Sequence, residues 1–105
     1  MTYTEAQIRR EALVELSNSQ SGTLTTTQLI DLLEDRMQPT GRDAEIADGR
    51  SDTYFSQKVR NLVSHREQGT GLETRGLATY DADNESWTIT EAGRSEAADQ
   101  SAPLL

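Results

Sequence analysis

Apolar residues recur at helical spacing in three successive segments, and after Gly69 and Gly71 the period changes to two short apolar or aromatic runs around a turn-prone stretch. That switch limits the chain to an α+β body in which helices come first and a hairpin follows. Thr4 and Gln7 form the pattern of a capping box, and Ile8, Ala12, Leu13 and Leu16 then mark a first helix over residues 4–18. After Leu24, a run of threonines caps a second helix whose stripe is Leu29, Leu32, Leu33 and Met37, closed by Pro39 and Gly41. A polar connection with one helical turn around Ala44 to Ala47 leads to a third helix, capped by Ser51 or Asp52, with Phe55, Val59, Leu62 and Val63 toward the core. Leu77 to Tyr80 and Trp87 to Ile89, on either side of Asp81 to Ser86, predict a two-stranded hairpin. Thr90 then starts a short last helix. The spacing predicts one domain over residues 1–95 and a tail or linker over 96–105.

Composition narrows the function classes. With 105 residues, no cysteine and one histidine, the chain offers no disulfide framework and no thiolate or histidine zinc site. No stretch approaches the roughly 20 apolar residues of a membrane span, and the first residues lack the apolar core of a signal peptide, so a cytoplasmic protein with no membrane partner is expected. The net charge is −8, and nine of the ten basic residues are arginine, an acid-rich balance similar to halophilic proteins. Yet Arg50, Lys58, Arg60 and Arg66 face only Asp52 between residues 50 and 66. That stretch carries +3 and the remainder −11.

Helix, helix, helix, strand, turn, strand resembles the winged helix-turn-helix, with the hairpin as a two-stranded wing and the third helix as the reader. The TITEAGR ending is similar to the close of several families of that kind. Residues 49–67, GRSDTYFSQKVRNLVSHRE, resemble more narrowly the winged-helix DNA-reader modules of modification-dependent restriction endonucleases, through the pattern R-x-D-T-x-F-x-Q-x-V-R-N-L-x-S-H. The likeness covers residues 24–94, and its specific part lies in the third helix. It implies a double-stranded DNA reader of N6-methyladenine, as in DpnI-type enzymes and a haloarchaeal-virus relative. The nuclease would then lie on a fused or partner domain. The chain itself is expected to be non-catalytic and to need no cofactor.

On a helix, Tyr54, Gln57, Lys58, Asn61 and His65 share the face opposite Phe55, Val59 and Leu62. Gln and Asn suit adenine N6 and N7 in a major groove about 12 Å wide, and Lys suits guanine O6 and N7. These five are the expected base readers, with Arg50, Ser51, Thr53, Arg60, Arg66 and Arg75 on the DNA backbone. A methylated N6 has lost one hydrogen, so apolar contact must supply discrimination. Tyr54 and Trp87 are the candidates, and burial of one methyl is worth about 0.8 kcal/mol.

Each signal also has a structural reading. Trp87 and Tyr80 suit hairpin packing, His65 suits a helix C-terminus as well as a phosphate, and Ser51 and Asp52 suit a cap. The acidic turn Asp83, Asn84 and Glu85 departs from wings that grip phosphates, and Arg75 is the substitute contact. The alternatives are a dimeric transcriptional regulator on unmodified operators and a winged helix used only for protein contacts.

Overall fold

The computed structural model describes residues 3–45, 53–69 and 71–101. Its elements run α1 (Glu5–Asn18), β1 (Thr23–Thr25), α2 (Thr26–Met37), a 3-10 turn (Gly41–Ala44), α3 (Tyr54–Ser64), β2 (Ala78–Asp81), β3 (Ser86–Ile89) and α4 (Glu91–Ser101). The described chain is therefore α+β, with four α-helices and one three-stranded antiparallel sheet of order β1-β3-β2. Among the described residues no helix is long and apolar enough to cross a membrane.

Local chemistry sets the helix starts. Thr4 Oγ1 accepts from Gln7 N (3.1 Å) while Thr4 N donates to Gln7 Oε1 (2.7 Å). Thr25 and Gln28 repeat the device at α2, with 3.1 and 2.9 Å. α2 ends at Gln38, which adopts a left-handed conformation at φ 48° just before Pro39. For α3 the cap is Thr53, whose hydroxyl accepts from Ser56 N at 3.0 Å, and not Ser51 or Asp52. Those two residues lie outside the described residues, as do Ala47 and Arg50. The short turn expected around Ala44 to Ala47 starts earlier, at Gly41.

The core gathers Ile8, Leu13 and Leu16 of α1, Leu29 and Leu33 of α2, Phe55, Val59 and Leu62 of α3, and Trp87 of β3, all buried. On α2 the inward stripe takes Ile30 with Leu29, Leu33 and Met37, whereas Leu32 stays exposed. Thr26, Leu29, Ile30, Leu33 and Met37 are consistent with one face at 3.6 residues per turn. Leu32 lies well round from that face.

The sheet alternates as a half-buried sheet should. Leu24, Trp87 and Tyr80 form one cross-strand row on the core side, and Thr23, Thr88 and Thr79 form the next row on the outer side. Thr23 and Thr88 hydroxyls are hydrogen-bonded at 2.9 Å. The first strand is the element missing from a hairpin reading. It is only three residues long, and its partner β3 lies more than 60 positions away. Gly22, at φ 73°, turns the chain into it, and its carbonyl accepts from Ile89 N at 2.9 Å.

α4 runs on through residues 96–101, which the sequence reading assigns to a tail, and packs against α1 with Ala97 buried. Its inward positions are Gly93 and Ala97, one helical turn apart, so the stripe is made of small residues and is silent in hydropathy. Thr90 caps this helix. Its Oγ1 accepts from Gly93 N (3.0 Å) and donates to Gly76 O (2.6 Å). Gly93 sits so close to the Leu77 carbonyl that a Cβ there would overlap it.

Candidate nucleic-acid interface

α3 rests on α1 and α2 through Phe55, Val59 and Leu62 and leaves the opposite side outward. The five expected base readers do not stay together. Gln57 and Asn61 are half-buried near the centre of the outward side, one turn apart, with exposed Ser64 continuing the row at i, i+4, i+7. Exposed Arg60 flanks that row toward α2. Ser64 is the member sequence reasoning missed, although its spacing from Gln57 and Asn61 announces it.

Lys58 and His65 turn instead to the α1 side. Lys58 Nζ donates to Asp43 Oδ1 (2.7 Å) and to Tyr3 O (2.9 Å). Asp43 is fully buried, and its other oxygen accepts from Tyr3 N at 2.7 Å. This ammonium therefore compensates a buried carboxylate and ties α3 to the 3-10 turn and the start of α1. His65 caps α3, and its Nδ1 lies 2.8 Å from Glu5 Oε1, while Glu5 Oε2 accepts from Arg9 at 3.0 Å. Both side chains serve the helix seam. The expected face is rotated from the observed one because each residue advances about 100°, and Lys58 and His65 fall on its α1 edge.

The backbone contacts divide similarly. Thr53 spends its hydroxyl on the α3 cap. Arg66 donates to Val63 O (2.7 Å), pairs with Glu73 (3.1 Å) and lies over the Tyr80 ring at 5.1 Å, which makes it a brace between α3 and the hairpin. Arg60 and Arg75 remain exposed, Arg75 with a carboxylate oxygen of Glu96 at 3.8 Å. Tyr54 is half-buried at the start of α3, where its amide donates to Glu45 O at 2.9 Å.

Trp87 is 0% exposed and stacks at a tilt on Tyr80, with ring centroids 5.1 Å apart. It is a core residue and is closed to a methyl group on DNA. The hairpin turn is acidic and ordered. Asp81 accepts from Asn84 Nδ2 (2.6 Å) and from Asp83 N (3.0 Å), and these bonds, the Asn84 one foremost, hold its carboxyl below the ordinary value. Glu85, at φ 51°, points its carbonyl at α2, where it accepts from Thr26 N (2.9 Å) and Thr26 Oγ1 (3.2 Å). A cleft of about 160 Å³ remains between α3 and the hairpin, lined by Thr26, Arg60, Val63, Ser64, Tyr80 and Glu85.

Among the described residues no group of acidic and histidine side chains is placed to hold a metal ion. Compared with protein-family models, curated proteins and solved structures, the chain matches none.

Proposed function

We propose that this chain is a winged helix that reads duplex DNA with the outward side of α3. The observation that carries the reading is topological. The hairpin of the β1-β3-β2 sheet lies beside the end of α3, and half-buried Gln57 and Asn61 with exposed Ser64 form an outward row of hydrogen-bonding groups, flanked by Arg60. An α-helix of this kind fits a major groove, where Gln and Asn address adenine and Arg60 addresses guanine or phosphate. Tyr54, at the head of the row, is the apolar group for a methylated N6. Preference for N6-methyladenine rests on the likeness of residues 49–67 to modification-dependent readers. Chemistry on DNA is then assigned to a fused or partner nuclease domain.

The charge distribution favours groove contacts over bulk attraction. Lys58, His65 and Arg66 are occupied by Asp43, Glu5 and Glu73, so little free positive charge is left for steering. In a halophilic setting that loss is small, because screening shortens to about 3 Å at molar salt. The same pairing supports a second reading, a winged helix that contacts protein through its acidic surface.

A gel shift with methylated and unmethylated duplexes of one sequence separates these. Preference for the methylated duplex, lost by about 1–3 kcal/mol in Asn61→Ala or Gln57→Ala, is the expected result. Equal binding of a cognate operator regardless of methylation points to a regulator. Absence of duplex binding at low salt removes the DNA reading and leaves the protein-contact one.

A further inference from the structure

Three basic side chains of this acidic chain are matched by carboxylates from other segments. Arg36 of α2 reaches Glu15 and Glu11 of α1 at 2.5 and 3.3 Å, Lys58 reaches Asp43 and Arg66 reaches Glu73. A denser group of arginines lies where α1 meets the turn segment after α3. There Ala6, Arg9, Arg10 and Leu13, at i, i+3, i+4 and i+7 along α1, join Leu72 and Arg75 around a pocket of about 200 Å³. Three of the nine arginines line this one space.

Their compensation is incomplete. Arg9 pairs with Glu5 at 3.0 Å, and Arg75 stands 3.8 Å from Glu96, outside hydrogen-bonding reach. Arg10 is exposed and has no ion pair among the described residues. Three guanidinium groups against two carboxylates leave one positive charge over, in a molecule of net charge −8. Leu13 and Leu72, both buried, lie beneath it, so low-dielectric matter backs the site and strengthens any charge interaction there.

The turn that carries Arg75 is held in place. Gly71 crosses the end of α3 so closely that a Cβ would overlap the His65 and Arg66 carbonyls. Arg75 N donates to Gly71 O (3.1 Å), Thr74 N to Arg66 O (3.2 Å) and Leu77 N to Leu72 O (3.0 Å). Arg75 therefore stands on a backbone already fixed against α3 before any ligand arrives.

We infer that the pocket lined by Arg9, Arg10 and Arg75 binds a phosphate group. Forked guanidinium donors match the paired oxygens of phosphate, and a dianionic phosphate ester offsets the excess charge. The phosphate belongs either to a small free ester or to a nucleic-acid backbone, and the site is independent of how α3 is used.

The test is a magnetic resonance titration of the full chain, following arginine Nε–H resonances at constant ionic strength with chloride as the control. Inorganic phosphate is added in one arm and a short DNA duplex in the other. The expected result is that Arg9, Arg10 and Arg75 move with phosphate, duplex or both, while Arg36 and Arg94 hold still. Movement in the phosphate arm alone assigns the site to a free phosphate ester, and movement in the duplex arm alone assigns it to the DNA backbone. Arg10→Gln and, separately, Arg75→Gln should each weaken the response about tenfold, with circular dichroism unchanged. Asn61→Ala should leave the phosphate arm intact even if the reading of α3 fails. Shifts spread equally over all arginines, or no shift in either arm, overturn the inference.

Discussion

Replacing Gly93 by alanine is an unusually sharp probe of this fold, because two opposite effects of known size meet at one atom. In an ordinary helix interior, Gly→Ala is worth about 1 kcal/mol of added stability. At Gly93 the new methyl would overlap the Leu77 carbonyl and come 2.7 Å from Ile89 Cγ1. The carbonyl cannot retreat freely, since it accepts from Thr90 N at 3.0 Å at the junction of β3 and α4. Forcing a methyl into such a contact typically costs about 1–3 kcal/mol, and a backbone obstacle places this case at the upper end. The net expectation is a loss of about 2 kcal/mol. In a domain near this size, each kcal/mol moves Tm by about 4–8 °C, so the midpoint should fall on the order of 10 °C. Thermal and urea unfolding followed by circular dichroism measure it, with Gly69→Ala as the control, where an added Cβ meets nothing within 4 Å. A Gly93→Ala protein as stable as the parent, or more so, would mean that the first turn of α4 does not dock against Leu77.

Further substitutions address the seams and caps. Asp43→Ala strands the Lys58 ammonium and the Tyr3 amide, and because Lys58 is part-exposed the loss should be about 2 kcal/mol in urea unfolding. Lys58→Met should lower stability yet leave discrimination between duplex sequences unchanged, and a changed sequence preference would return Lys58 to the reading face. Thr25→Ala removes one half of a capping box and should lower stability by about 1 kcal/mol, visible as a Tm shift. For Asp81 the folded carboxyl lies below its ordinary value, so its stabilisation of the hairpin turn is present at neutral pH. It is lost as pH falls below the ordinary value of 3.8 and through the folded value. Amide exchange in the turn should show that acid loosening in the parent and not in Asp81→Asn.

Helix starts were legible wherever the cap and the run behind it agreed. Thr4 with Gln7 and Thr90 before Glu91 are examples, since a threonine oxygen three residues ahead of a free amide is a local fact. Elements held by distant partners were not legible. β1 is three residues paired with a strand 63 positions on, from Thr23 to Ser86 in sequence, and nothing in Thr-Leu-Thr distinguishes it from a loop. The start of α4 was legible but its run past residue 95 and its docking on α1 were not, because Gly93 and Ala97 pack by being small, and small residues leave no apolar stripe. For the proposed interface, periodicity gave the outward placement of Gln57 and Asn61. It could not show that Asp43 would claim Lys58 or that Glu5 would claim His65, because those carboxylates approach from other segments. Trp87 turned inward for the reason a strand alternates, sharing its row with Leu24 and Tyr80.

The carbonyl of Glu85 gives the hairpin a mechanical character. Because Thr26 donates to it from both amide and hydroxyl, the tip of the hairpin is tied to the first turn of α2. Under the proposed reading, a duplex docking here would meet a tip already tied at one end and would have to break both bonds to swing it.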